Sequence, residues 1–412
     1  MTLLAVGNGL LFAYIPVQLS ESGYPPWMAG AAVTSMAGGG LLACLITGLA
    51  VRRVGHARAF GAMTACVILS VLIISLGTFP LLWVGARALY GFAATGLFII
   101  SQSWLNDACE NEWRGRVIAL FYMLYVVAIG CGGFLLRFLP LDDATVPLTS
   151  IFFATLALLP VSLTRLATPP PPASITIAVS AVWKISPVGF VGMFAAGGLT
   201  MLLQGFAPIY VADAGYSKAD VGLMIFLMQF GLLAVQYPLG ALSDKMDRRH
   251  VLIAAGIIML LSASLGYSVD PARFIWLVII LAIWTGATES VFSIANAHAN
   301  DRADPEYYVS LSSTMLVAWS LSALIMPALA TSLIPVLGTR VFMLMSVILA
   351  ALYCLFVIYR VFRREPTPLE HAGHYQQVSA QVPLTSELAA PVSEEDASSP
   401  ESDMIRNQPG PR

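Results

Sequence analysis

Charge is the scarcest commodity in this sequence. Asp, Glu, Lys and Arg make up 11% of its 412 residues against 58% hydrophobic ones, and the mean hydropathy is +0.79. A water-soluble chain of this length needs far more polar surface, so a soluble globular fold is excluded and lipid is the solvent for most of the chain. The net charge of −2 comes without a basic stripe, which excludes a nucleic-acid binder. Cysteine is also rare: Cys44, Cys66, Cys109, Cys131 and Cys354 are an odd, widely spaced set with neither disulfide nor metal spacing, and read as small core residues. His371 and His374 form an isolated H-x-x-H, too little for a metal site, so neither metal nor cofactor is expected. Without a G-x-x-x-x-G-K-[ST] loop, an H-E-x-x-H pair or a nucleophile elbow, the chain offers no nucleotide motor and no hydrolase centre, and no enzyme is expected.

Long apolar runs, by contrast, fill the chain. A spanning helix needs roughly 20 mainly apolar residues, and twelve such runs cover 2–20, 27–50, 59–78, 81–104, 115–138, 147–166, 187–210, 219–242, 250–269, 273–297, 308–333 and 339–361. They are continuously apolar and about twice the length of a barrel strand, so an all-α membrane protein of twelve transmembrane helices is predicted. The first run has no basic leader and no small-residue cleavage site, and reads as a retained span. Pro169 to Pro172 cannot continue a helix, which divides the chain into a six-helix bundle over 1–167, a stiff, extended-starting linker over 168–186 and a second bundle over 187–363. Residues 364–412, rich in Ser, Pro, Glu and Gln, read as a disordered acidic tail.

Lys and Arg fall unevenly on alternate sides of the spans: fourteen on the side of both termini and the linker, four on the other. That excess places both termini in the cytoplasm of a cell that carries the protein in its inner, plasma membrane. The two halves are related by a repeat. A shift of 192 residues lays "GYPPWMAG" at Gly23 on "GYSKADVG" at Gly215, and "GLAVRRVGHAR" at Gly48 on "GALSDKMDRRH" at Gly240. Both charge clusters therefore lie between the second and third helix of a six-helix half, as expected for two pseudo-symmetric bundles.

These stretches resemble the major facilitator superfamily over roughly 1–363. That family repeats a G-x-x-x-D-[RK]-x-[GD]-R-[RK] loop, matched here by Gly240, Asp244, Lys245, Asp247, Arg248 and Arg249. The first copy, Gly48, Arg52, Arg53, Gly55 and Arg58, departs from it, since Arg52 stands where an acid is expected. The resemblance implies that the loops gate the cytoplasmic face. "RALYGFAATG" resembles a further family element through Arg87, Gly91 and Gly96, whose glycines suit close helix packing. "RRVGHARAF" and "SQSWLNDACENEWRGRV" look more narrowly like the YcaD-like branch, where the second stretch usually has Glu at the place of Gln102.

Two charges fall well inside the spans, Arg87 in the fourth and Glu289 in the tenth. Each costs about 2.5–3.5 kcal/mol at the bilayer centre, which marks it for a polar cavity or a partner. Arg87 could bind a substrate anion or tie helix carbonyls together; Glu289 could carry a proton or hold a static hydrogen bond to Ser or Asn. Their depths differ by roughly 15 Å at 1.5 Å per residue, which argues against a salt bridge between them. The resemblance implies a cavity lined by spans one, four, seven and ten, and so adds Asn8 and Gln204; Tyr14, Gln18, Tyr122, Tyr125, Gln229 and Trp319 are further wall candidates. His298 reads as an interfacial contact. The expectation is a monomeric secondary active transporter that moves a small solute, with protons as candidate co-substrate, by alternating access. The competing expectation is a non-transporting sensor on the same fold. A reporter fused after Arg412 should be active on the cytoplasmic side; periplasmic activity would reverse the assigned orientation.

Overall fold

The computed structural model describes residues 1–77, 79–109, 111–141, 144–163, 177–304 and 307–363. The helices are α1 (Thr2–Glu21), α2 (Pro26–Val54), α3 (His56–Ser75), α4 (Pro80–Ala108), α5 (Asn111–Leu135), α6 (Thr145–Leu163), α7 (Val179–Ile185), α8 (Pro187–Asp213), α9 (Lys218–Ser243), α10 (Arg248–Ser268), α11 (Phe274–Asn300), α12 (Tyr308–Leu337) and α13 (Val341–Arg363). Among the described residues twelve helices are long and apolar enough to cross a membrane, and no residue is in a strand.

Local sequence sets where the helices begin and end. Pro26, Pro80 and Pro187 open α2, α4 and α8 at the first turn, where a missing N–H costs nothing. A capping box between Ser217 and Asp220 opens α9. Asp247 caps α10 by accepting from the Arg249 N–H. α2 and α4 run to 29 residues each and α12 to 30, longer than their apolar runs. Arg52 and Arg53 sit in the last turn of α2, where cations favour the helix terminus, so the helix continues beyond its lipid-soluble part.

Helices α1–α6 and α8–α13 repeat one packing scheme. In the first half α1 lies on α5 and α6, α2 on α4, and α3 on α4 and α6; in the second, α8 lies on α12 and α13, α9 on α11, and α10 on α11 and α13. The 192-residue shift puts Pro16 of α1 on Pro208 of α8, and Gly23 with φ +75° on Gly215 with φ +83°. It also puts Gly39 on Gly231, each at the crossing of its helix with α4 or α11. Ser20 Oγ donates to the Ala212 carbonyl at 3.5 Å, a contact between positions 192 apart. Equivalent residues touch each other only beside the pseudo-twofold axis. Across that axis α2 packs on α12 and α5 on α9, two interfaces that the symmetry exchanges.

One pairing breaks the symmetry. α8 packs along α11, with a Cβ on Gly192 or Gly189 brought to 2.6 or 2.8 Å of the Ala295 and Ala299 methyls. The corresponding α1 and α4 are not closely packed. The side chains at that seam are bulky: the Arg87 guanidinium lies 5.6 Å from the Phe12 ring centre and 4.8 Å from that of Tyr90.

The linker's prolines, where an extended start is expected, lie outside the described residues; toward its end Val179–Ile185 is a helix. Val182 is buried and Trp183 packs against Phe190 and Phe356, so apolar contact with the second bundle holds this turn in place. The Ala178 N–H also donates to Thr314 Oγ1 at 2.9 Å. The tail over 364–412 lies outside the described residues.

Lipid gives helices no hydrophobic reason to associate, so backbones must come close enough for dispersion to act. A Cβ on Gly39 would run into the Ala88 carbonyl, and one on Gly91 into that of Met36, so α2 and α4 cross at two glycines. Gly91→Leu should destabilise the chain by about 1–3 kcal/mol, read as a lower melting temperature and loss of the monodisperse fraction. Gly48→Ala, with nothing within 4 Å of its Cβ, should leave both unchanged.

Candidate functional site

A cavity of about 60 Å³ lies halfway along the helices, between the two halves. Asn8, Cys44, Thr95, Tyr125, Trp319 and Ser320 give it polar and aromatic walls, and Met36 and Met201 give it flexible apolar ones. α1, α2, α4 and α5 supply most of this lining, and α8 and α12 close it from the other half. The unpacked seam between α1 and α4 is what leaves the room. Cys44 Sγ lies 3.8 Å from Ser320 Oγ, a contact across the two halves. Asn8 sits against the Tyr125 hydroxyl. Asn8 Oδ1 and Trp319 Nε1 are buried with no hydrogen-bond partner among the described residues. Buried polar atoms are almost always satisfied, so an unpaired acceptor and an unpaired donor on one cavity wall invite a ligand that offers the complements.

Of the site residues expected from sequence, Asn8, Gly91, Tyr125 and Trp319 line this cavity; Arg87, Gln102, Gln204 and Glu289 do not. Arg87 is buried one side chain away. Its Nη2 meets the sulfur of the cavity-lining Met36, and Nη1 has no hydrogen-bond partner among the described residues. Neither ion pair of the described residues involves Arg87, so its charge is held by ring faces and a thioether. Glu289 is buried in α11, in the second half, where its carbonyl accepts from Ser293 Oγ and Gln236 Nε2. Gln204 accepts from Gln229 at 3.4 Å, linking α8 to α9. Gln102 donates to the Tyr122 hydroxyl at 2.6 Å, which binds α4 to α5. Gly96 is a packing position: a Cβ there would stand 3.0 Å from Met63 Sδ.

The two charged turns differ in build. In the first, Arg52, Arg53 and Arg58 are exposed, Gly48 faces open space, and Gly55 turns the chain with φ +82°. In the second, Asp244 and Lys245 are exposed and Gly240 is buried. Arg249 grips Asp247 through Nε and Nη2, and Arg248 pairs with Asp301 at 2.7 Å, joining the start of α10 to the end of α11 with both side chains about 95% buried. Burial alone would raise the Asp247 pKa; the Arg249 hydrogen bonds, the backbone N–H and the cationic surroundings outweigh it and hold the carboxyl below the usual range. The link is therefore complete near neutrality and is lost as pH falls through that lowered value. Sequence reasoning missed Asp301, Gln236, Thr95 and Ser320. Asp301 is 53 residues from Arg248 and reads as an ordinary loop acid until the turns are brought together.

Twelve spans in two like bundles, with a partly polar cavity between them, define a multi-pass membrane protein of the transporter class. A model of the Major Facilitator Superfamily matches residues 188–394, half of the chain, and the chain belongs to that superfamily. It is 25% identical to the uncharacterized MFS-type transporter YcaD of Salmonella arizonae, with 90% of this chain and 96% of the relative covered. An uncharacterized MFS-type transporter of Enterobacter sp., Ent638_1421, is 24% identical over the same shares. Among solved structures, the nucleoside transporter NupG (D323A mutant) superposes with a TM-score of 0.70 at 10% identity, covering 87% of this chain and 97% of that one. The human organic anion transporter MFSD10 gives 0.57 at 15% identity, covering 86% and 96%. These likenesses establish the fold.

Removing one partner of a buried ion pair strands the other charge, at a cost of about 3–5 kcal/mol. Asp301→Asn should therefore lower the melting temperature sharply, while Arg53→Gln on the exposed first turn should stay within about 0.5 kcal/mol of the parent. Equal effects of the two would show that the second turn is no more built than the first.

Proposed function

We propose that the chain is a secondary active transporter that carries a small organic anion through the central cavity by alternating access, driven by protons. The observation that carries this reading is the cavity itself: it lies at mid-depth, both halves line it, and its wall holds unsatisfied hydrogen-bonding atoms. On the side away from the charged turns the halves are tied by packing and hydrogen bonds, Lys218 Nζ to the Leu139 carbonyl among them, with no ion pair among the described residues. Thr34 and Thr331 share a 3.2 Å hydrogen bond, Ser20 reaches Ala212, and a Cβ on Gly133 would stand 2.7 Å from Ile225. Rocking about the pseudo-twofold axis would part them without breaking an ion pair.

Arg87 supports an anionic substrate. Its Nη1 has no hydrogen-bond partner and no ion pair holds it among the described residues, and the movable Met36 side chain lies between it and the solute space. Asn8 and Trp319 would orient the rest of the solute, with Tyr125 as a second aromatic wall. Glu289, kept from bulk water inside the second half, is the group suited to take up and release a proton. The charge asymmetry supports cytoplasmic termini in an inner, plasma membrane, and the chain works as a monomer. A sensor on the same fold would need no such cavity, and the family to which the chain belongs does not favour it.

A thermal-shift panel of small carboxylates, sulfonates and phosphate esters on the purified chain should yield a stabilising anion. That anion should then show counterflow in proteoliposomes. Arg87→Gln should weaken its binding at least tenfold, the loss of about 1.4 kcal/mol from a charge-assisted contact. Glu289→Gln should abolish proton-driven uptake and spare counterflow. Binding unchanged by Arg87→Gln would sink the anion assignment, and a stabilising ligand without counterflow would sink transport.

A further inference from the structure

A second pocket opens far from the central cavity, at the charged end of the second half. Arg249, His298, Arg302 and Arg360 line it together with Ser186 and the first turn of α8. Four elements converge here: the start of α8, the start of α10, the end of α11 with the turn after it, and the last turn of α13. The charged groups acting on His298 are Arg302, Asp247, Arg249 and Arg248, three cations to one anion. Asp247 is gripped by Arg249 and Asp301 by Arg248, and the described residues that line the pocket bring three guanidinium groups and no carboxylate. The N-terminus of α8 adds the positive end of its dipole, since Ser186 satisfies the Gly189 N–H but brings no net charge.

Two side chains bring polar atoms to the pocket. His298 is 4% exposed and lines it. Arg360 Nε is buried and lacks a hydrogen-bond partner among the described residues. Neither residue earns its place by packing alone, because both bring polar atoms to a desolvated spot.

Size selects the ligand. The enclosed part is about 10 Å³, room for one oxygen-sized centre and not for a whole solute. An anion that fits must insert an oxygen and leave its remainder outside. Arg360 is only partly buried, and Tyr359 and Phe362 beside it are exposed on α13, a helix long and apolar enough to cross a membrane. We propose that this pocket binds phosphate oxygens, and that their source is the headgroup of an anionic lipid in the leaflet at the charged end. A lipid held there would clamp α8, α10, α11 and α13 together at one end, independently of what the central cavity carries.

Native mass spectrometry of the full chain, with phosphatidylglycerol and phosphatidylcholine added in parallel, tests this. Phosphatidylglycerol should bind preferentially, and Arg360→Gln, which has no hydrogen bond to lose, should weaken it about fivefold. The double variant Arg302→Gln/Arg360→Gln should weaken it about 25-fold by the same reckoning, while Arg116→Gln, on the exposed start of α5, should bind as the parent does. Competition by millimolar inorganic phosphate without lipid preference would assign the same chemistry to a soluble ion and overturn the lipid source. Equal binding of the two lipids, or an Arg360→Gln affinity equal to the parent's, would overturn the site.

Discussion

Inside a bilayer no water can satisfy a bare peptide group and no hydrophobic effect pushes one helix onto another. Every span must close its own hydrogen bonds, and every contact between spans must come from close approach. Glycine meets that demand at the crossing of α2 with α4, at the crossing of α9 with α11, and again where Gly197 of α8 lies on the Trp319 backbone of α12. Ser and Thr side chains inside the spans give their hydroxyls back to their own helix, as Thr285, Thr288 and Ser290 of α11 do. Such self-contained rods can slide over one another at little cost, because few directional bonds join them.

The duplication relates the two interfaces between the halves. Two bundles with the same packing scheme meet along α2 with α12 and α5 with α9, a pair that the pseudo-twofold axis exchanges. The departure from symmetry matters as much. Small residues let α8 and α11 close, while Arg87, Phe12 and Tyr90 prop α1 from α4, and the cavity belongs mainly to the first half as a result. The buried ion pair lies in the other half, where Arg248 and Asp301 stiffen the second charged turn. One half is built for room and the other for rigidity.

Charge shows how far a sequence can be read. Arg87 and Glu289 were legible as intramembrane charges because nothing around them in the chain is polar. Their surroundings were not: Arg87 stands behind Met36, and Glu289 is buried in the second half beyond the cavity wall. Met36, Thr95 and Ser320 carry no signal along the chain, since a methionine or a small hydroxyl residue in an apolar helix looks like filler. The linker's end was not legible for a similar reason. Proline at 169–172 forbids helix where it stands, but whether Val179–Ile185 folds depends on Trp183 finding Phe190 and Phe356.

The sequence by itself determined that the chain lives in lipid, how many times it crosses and which superfamily it resembles. These follow from composition, run length and repeat, which are properties of the chain in one dimension. Tertiary structure decided which polar residues meet, which glycines touch and where space remains, because those depend on the rotation of each helix about its axis. A shift of one residue turns a helix face by about 100°, and no run of apolar letters records that angle.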